Sequence, residues 1–257
     1  MSNSFVLKNV NLGDGGATDI QVEDDKIVAI GSGLTAPETI DCTGLVALPG
    51  FVDLHTHLRE PGFEQSETVL TGTQAAAMGG FTAVHAMANT FPVADTAGVV
   101  EQIARLGDEA GYVKVQPVGA VTVGLNGERL AELGAMANSK AKVRIFSDDG
   151  KCVSDPLLMR RALEYVKSFN GVIAQHAQDP RLTEAAQMNE GDLSAKLGLT
   201  GWPSVAEEAI IARTDALVAQ AASDPQSWMR SLPGESVDEH IDALRTVAAY
   251  RDRHGVA

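Results

Sequence analysis

The sequence predicts an α/β protein in which a small all-β unit precedes a parallel sheet built from alternating strands and helices. Three observations predict it. Turn residues divide the stretch from Ser4 to Cys42 into short β segments. From about Val46, apolar strand segments alternate with helical ones. Polar residues then gather at the carboxyl ends of those strands, where sheets of β/α units carry their active sites.

Composition narrows the function classes. The chain has 257 residues, of which 44% are apolar, ample for a packed core. Its formal charge of −14 and the absence of a basic block argue against nucleic acid as a partner. The two cysteines, Cys42 and Cys152, form no C-x-x-C pattern. They read as buried thiols in a reducing cytoplasm rather than as a disulfide framework. The N-terminal "MSNSFVLKNV" lacks the signature of a secretory leader, and no apolar run reaches the roughly 20 residues that a bilayer needs. Neither secretion nor membrane insertion is expected.

The β unit, residues 1–46, consists of "SFVLKNVNL", the turn "GDGG", "TDIQVEDD", "KIVAIG" and "ETIDCTG". Residues 47–220 then hold five strand segments: "LVALPGFVDLHTH", "FTAVHAM", "VKVQPVGAV", "KVRIFSDD" and "GVIAQHA". Helices are expected around "ETVLTGTQAAAMGG", "TAGVVEQIARLGDEAG", "GERLAELGAMAN" and "DPLLMRRALEYVKSFN". After Ala177 the strand signal stops, and "VAEEAIIARTDALVAQAA" reads as a helix. Residues 221–257 read as a loop and a final helix, with Ser236 and Glu239 placed for a capping box and Gly255 for a stop. A closed (β/α)₈ barrel needs eight strands, so five describe an incomplete, TIM-like barrel. Its open strand edges would invite association with a partner chain or with another copy.

The chemistry sits at the strand ends. His55 and His57 are two apart, so on an extended strand they project from the same face and can grip one ion. Taken singly, each would be an ordinary surface or hydrogen-bonded histidine. Asp148 and Asp149 end the fourth strand, and a carboxylate there can bridge two ions; alternatively, either aspartate could cap the turn before Gly150. His176 follows an apolar run that obliges it to find a partner. Arg59 could hold a carboxylate through two parallel hydrogen bonds, or form a surface salt bridge with Glu60 or Glu64. Asn89 could orient an anionic or amide group, or simply make a turn. His85, in mid-strand, reads as a packing residue.

The segments "PGFVDLHTHLREPG", "GGFTAVHAMANT", "FSDDG", "IAQHAQD" and "MNEG...GWPSVAEEAIIAR" together resemble the dihydroorotases of the amidohydrolase superfamily, the type with a bridging aspartate. The resemblance runs from about Val6 to Arg213. It implies a binuclear zinc centre in which His55 and His57 bind one ion, Asp149 bridges, and His176 binds the second. It also implies that Arg59 and Asn89, beside His57, hold the substrate carboxylate. The implied reaction is the reversible hydrolysis of dihydroorotate to N-carbamoyl-aspartate in pyrimidine synthesis. The family's sixth-strand histidine and eighth-strand proton-shuttling aspartate have no counterpart, so the chain reads as C-terminally truncated, with an unrelated tail beginning soon after Thr214. Two alternatives stand beside this reading. One is a non-catalytic partner or scaffold of aspartate transcarbamoylase. The other is a related cyclic amidohydrolase such as an allantoinase or hydantoinase, although those usually place a carboxylated lysine where Asp149 stands.

Overall fold

A small apolar core holds the first sheet together. In β1 (Ser4–Asn11), Leu7 and Val10 turn to the small core; in β2 (Ala17–Glu23), Ile20 meets them, and Cys42 closes it. β3 (Lys26–Gly31) and β4 (Glu38–Asp41) complete the order β3-β2-β1-β4, with β4 parallel to β1 and the other pairs antiparallel. The "EDDK" stretch is a hairpin rather than a continued strand. Asp24 and Asp25 both take positive φ, as a two-residue turn matched to strand twist requires. A bulge between Leu7 and Val10 carries Asn9 in the left-handed region. Asp19 is buried, and it accepts hydrogen bonds from Lys8 Nζ at 2.8 Å and from the amides of Asn9 and Leu34. The Lys8 ammonium holds its carboxyl below the usual range.

The computed structural model describes residues 4–13 and 16–223. Two compact units are distinguished in it, Met1–Phe51 and Val52–Ala257. The expected tail helix and His240 and His254 lie outside the described residues, as does part of the "GDGG" turn.

The strands of the β/α region are β5 (Phe51–Thr56), β6 (Phe81–Ala86), β7 (Lys114–Pro117), β8 (Ile145–Phe146) and β9 (Val172–Ile173). β5, β6 and β7 form one sheet in that order, and β8 and β9 pair in parallel. A parallel bridge between Gly119 and Phe146 joins the two groups. The strands therefore neighbour one another in chain order, the result of successive β/α units. The intervening helices are α1 (Val69–Met78), α2 (Ala97–Ala110), α3 (Leu133–Asn138) and α4 (Pro156–Val166).

Each helix has a local cause. Thr68 caps α1 in a reciprocal box with Thr71. Asp155 caps α4, with Pro156 in the first turn, where its missing N–H costs nothing. On α2, Val100 and Ile103 share the buried face with Gly107; a Cβ at Gly107 would lie 2.5 Å from Val115 Cβ, so only glycine lets the helix approach β7 this closely. Val84, Leu133, Met136, Phe146 and Met159 fill the core between helices and strands. α3 is shorter than expected, because residues 123–132 form a 3₁₀ turn and a loop in which Ala131 N–H donates to Val121 O.

Beyond Ala177 the structure adds β10 (Met188–Asn189) and β11 (Gly201–Trp202), which pair in parallel around α5 (Asp192–Leu197), ahead of α6 (Val205–Ser223). The sequence shows no strand here because two residues carry no periodicity. Among the described residues no helix is long and apolar enough to cross a membrane.

Candidate metal centre

β5 delivers the first two histidines. Its end is fixed to β6 by a hydrogen bond from Met87 N–H to Thr56 O at 2.9 Å, and by one from the Thr56 hydroxyl to His85 O at 2.8 Å. Strand alternation then turns His55 and His57 the same way, with ring centroids 5.3 Å apart. β8 is held between Gly119 and Ala174 through Ser147 N–H···O and Ala174 N–H···O bonds, and it ends at Asp148 and Asp149.

The two neighbouring carboxylates take different surroundings. Asp149 Oδ1 lies 3.1 Å from His55 Nε2, and Asp149 Oδ2 lies 3.4 Å from His57 Nε2. His176 reaches the same carboxylate from beyond β9, with Nδ1 3.8 Å from Asp149 Oδ1. Asp148 instead accepts the amide protons of Val121 and Thr122 and the Thr122 hydroxyl. Burial pushes its carboxyl above the usual range, against the opposing pull of those bonds.

Asn89 follows β6 at the centre of a γ-turn closed by Thr90 N–H and Ala88 O. Its Nδ2 donates to Asp149 Oδ2 at 3.0 Å, and its Oδ1 lies 3.0 Å from His57 Nδ1. Arg59 is placed differently. It sits with φ +60° in a left-handed γ-turn closed by Glu60 N–H and Leu58 O, a conformation that costs about 1–3 kcal/mol. Its half-buried guanidinium makes no hydrogen bond or ion pair with any described residue. The salt bridges to Glu60 and Glu64 do not form, because Glu60 accepts from Val69 N–H and Glu64 from Gly62 N–H. His85 Nδ1 lies 3.3 Å from Asp53 O, in keeping with a hydrogen-bonded packing role. Gln178, which the sequence reading passed over, lies 2.8 Å from His176 Nε2. Its only signal was its place two residues beyond that histidine.

The ligand atoms of His55, His57 and Asp149 lie within 4.8 Å of one another, as a metal site requires. The donor chemistry fits a borderline cation such as zinc. Asp149 is only 7% exposed and, among the described residues, accepts a non-histidine hydrogen bond only from Asn89. A buried carboxylate so thinly supplied with donors calls for a positive charge. His176 stands just outside the tight trio.

Comparison with known proteins settles the ancestry. A family model described as dihydro-orotase-like matches residues 44–225. The chain belongs to the dihydro-orotase-like family. Dihydroorotases of Leifsonia xyli, Streptomyces coelicolor and Mycobacterium tuberculosis are 69%, 64% and 57% identical over 219, 217 and 223 residues. These alignments cover 84–85% of the chain and 50–52% of each relative, so this family member spans about half the length of the curated relatives it matches. Among solved structures, an L-hydantoinase from Arthrobacter aurescens aligns with a TM-score of 0.67 and 21% identity, over 86% of this chain and 51% of that one. A dihydropyrimidinase from Brevibacillus agri aligns at 0.62 and 23%, over 86% and 50%. These two carry the fold of the dihydro-orotase-like chain and nothing finer.

Proposed function

We propose that the chain carries the metal-binding and carboxylate-binding half of a zinc-dependent dihydroorotase, which reversibly hydrolyses dihydroorotate to N-carbamoyl-aspartate in the cytoplasm. The observation that carries this reading is the approach of His55, His57 and His176, from two strands far apart in the sequence, to the one carboxylate of Asp149. His55 and His57 would hold one zinc and His176 a second, with Asp149 shared between them. In this reading the five neighbouring strands belong to a TIM-like barrel.

When bound, zinc lowers the pKa of water and polarises the amide carbonyl. The chain's own residues supply position. Asp149 Oδ1 faces both His55 and His176 and Oδ2 faces His57, so the carboxylate stands between the β5 histidines and His176. Arg59, with no side-chain partner among the described residues, presents a planar fork of donors to the substrate carboxylate. Asn89 gives one amide N–H to Asp149 and keeps its second N–H for the substrate carboxylate, beside Arg59. The resulting grip orients the ring amide toward the histidine cluster and excludes water from one side of it.

Metal content and dihydroorotate turnover, measured on one purified sample, test the reading. Stoichiometric zinc is expected, with turnover that a chelator abolishes and that lies about 10²–10⁴-fold below that of a full-length relative, because the proton-shuttling aspartate has no counterpart here. A sample that neither retains added zinc nor turns over dihydroorotate overturns it.

A further inference from the structure

Two amide side chains stand behind the histidines, and the chemistry of their partners fixes each hydrogen bond proton by proton. Asp149 has only acceptors to offer when ionised, so the Asn89 atom 3.0 Å from its Oδ2 must be the NH₂ group. Asn89 Oδ1 is then the atom that faces His57 Nδ1 at 3.0 Å, and an amide oxygen can only accept. His57 Nδ1 must therefore carry a proton. A neutral His57 keeps its lone pair on Nε2, 3.4 Å from Asp149 Oδ2, where two acceptors confront each other until a cation comes between them.

The same logic gives the opposite answer at His176. The Thr183 hydroxyl donates to Asp179 O at 2.9 Å, so it must accept from Gln178 Nε2, also at 2.9 Å. Gln178 Oε1 then faces His176 Nε2 at 2.8 Å, which must be the protonated nitrogen. The lone pair of His176 is left on Nδ1, the atom nearest Asp149.

We propose that Asn89 is a positioning residue that holds His57 in the Nδ1–H tautomer and thereby assigns Nε2 to the metal, while Gln178 fixes the opposite assignment at His176. The inference rests on the metal-centre reading above but concerns the chain before any ion is bound. Asn89 carries the greater burden, because free neutral imidazole in a histidine side chain favours the Nε2–H form. Gln178 reinforces a preference that His176 already has; Asn89 reverses one. Without that reversal, His57 would point a proton at the carboxylate and would have to change tautomer before it could ligate.

The full chain, labelled with ¹⁵N-histidine and freed of metal at a pH where imidazole is neutral, tests this by two-bond ¹H–¹⁵N correlation. Among the described histidines, His57 and also His85, whose Nδ1 faces the Asp53 carbonyl, are expected in the Nδ1–H pattern, and the His57 signal is assigned by its loss in His57→Gln. Asn89→Leu, which keeps the volume and removes the acceptor, is expected to convert that signal to Nε2–H and weaken zinc binding roughly 10–100-fold. Asn89→Asp retains an acceptor for Nδ1–H and is expected to keep the Nδ1–H pattern. A wild-type His57 in the Nε2–H form overturns the proposal, as does an unchanged tautomer or unchanged zinc affinity in Asn89→Leu. Should Asn89→Leu not fold, the wild-type and Asn89→Asp spectra still decide. A chain that binds no zinc would sink the dihydroorotase reading while leaving the tautomer result intact, so the two failures are distinguishable.

Discussion

Asp148 and Asp149, consecutive in the chain, commit their carboxylates to unlike tasks. Asp148 gathers the amides of Val121 and Thr122, and Asp149 lies against His55 and His57. The first ties the loop after β7 to the end of β8, and the second meets the histidines.

Substituting Asp149 should therefore cost metal and little else. Zinc at a hundred times its dissociation constant should raise the wild-type unfolding free energy by about 2.7 kcal/mol. In Asp149→Ala that zinc-dependent gain should vanish, with urea unfolding in chelator close to wild type. A variant that keeps the full gain would remove Asp149 from the ligand set.

Asp148→Ala should behave the other way. Two buried amides and a hydroxyl lose their acceptor, which should destabilise the fold by about 3 kcal/mol. Equilibrium denaturation without metal measures this, and a loss well below 1 kcal/mol would show that water replaces the carboxylate.

Arg59→Met keeps the length of the side chain and discards its charge. Binding of N-carbamoyl-aspartate to the zinc-loaded chain, followed by calorimetry, should weaken by about 10–100-fold, the loss of a charge-assisted pair. Zinc affinity should stay put. Equal ligand affinity in both proteins would move the carboxylate seat elsewhere.

Asp19 predicts a pH effect in the β unit. Its folded pKa lies below the ordinary value, with the Lys8 hydrogen bond as the leading cause. The pair's contribution is therefore present above about pH 3.9 and is lost as pH falls through the lower folded value. Asp19→Asn should be less stable than wild type at pH 7, and the gap should shrink by pH 3. Urea midpoints at the two pH values would show it, and a gap that widens on acidification would contradict it.

Much of this was legible in the sequence because it is periodic or local. The division of the first residues into short β segments, the succession of strands and helices after them, and the two-residue spacing of His55 and His57 each follow from short-range rules. The division of labour between Asp148 and Asp149 was not legible from local pattern, since adjacent aspartates look alike until the amides of residues 121 and 122 claim one of them. Gln178 was missed because its meaning depends on Thr183 and Asp179, a relay assembled by irregular backbone. β10 and β11 were missed because strands of two residues leave no pattern to read.

One small contact governs how the mouth of this sheet can vary. Phe91 N–H donates to Pro61 O at 2.9 Å, and a Cβ at Gly62 would lie 2.2 Å from Phe91 O, so the turn bearing Arg59 and the turn bearing Asn89 are riveted back to back. Gly62→Ala, at φ +99°, should loosen both at once, costing about 3 kcal/mol in a melt and disturbing carboxylate and zinc binding together. Neither turn can lengthen without tearing the other loose. On the proposed reading, a change of ligand at this mouth runs through exchange of the side chain at position 59, because inserting residues there would shift His57 as well.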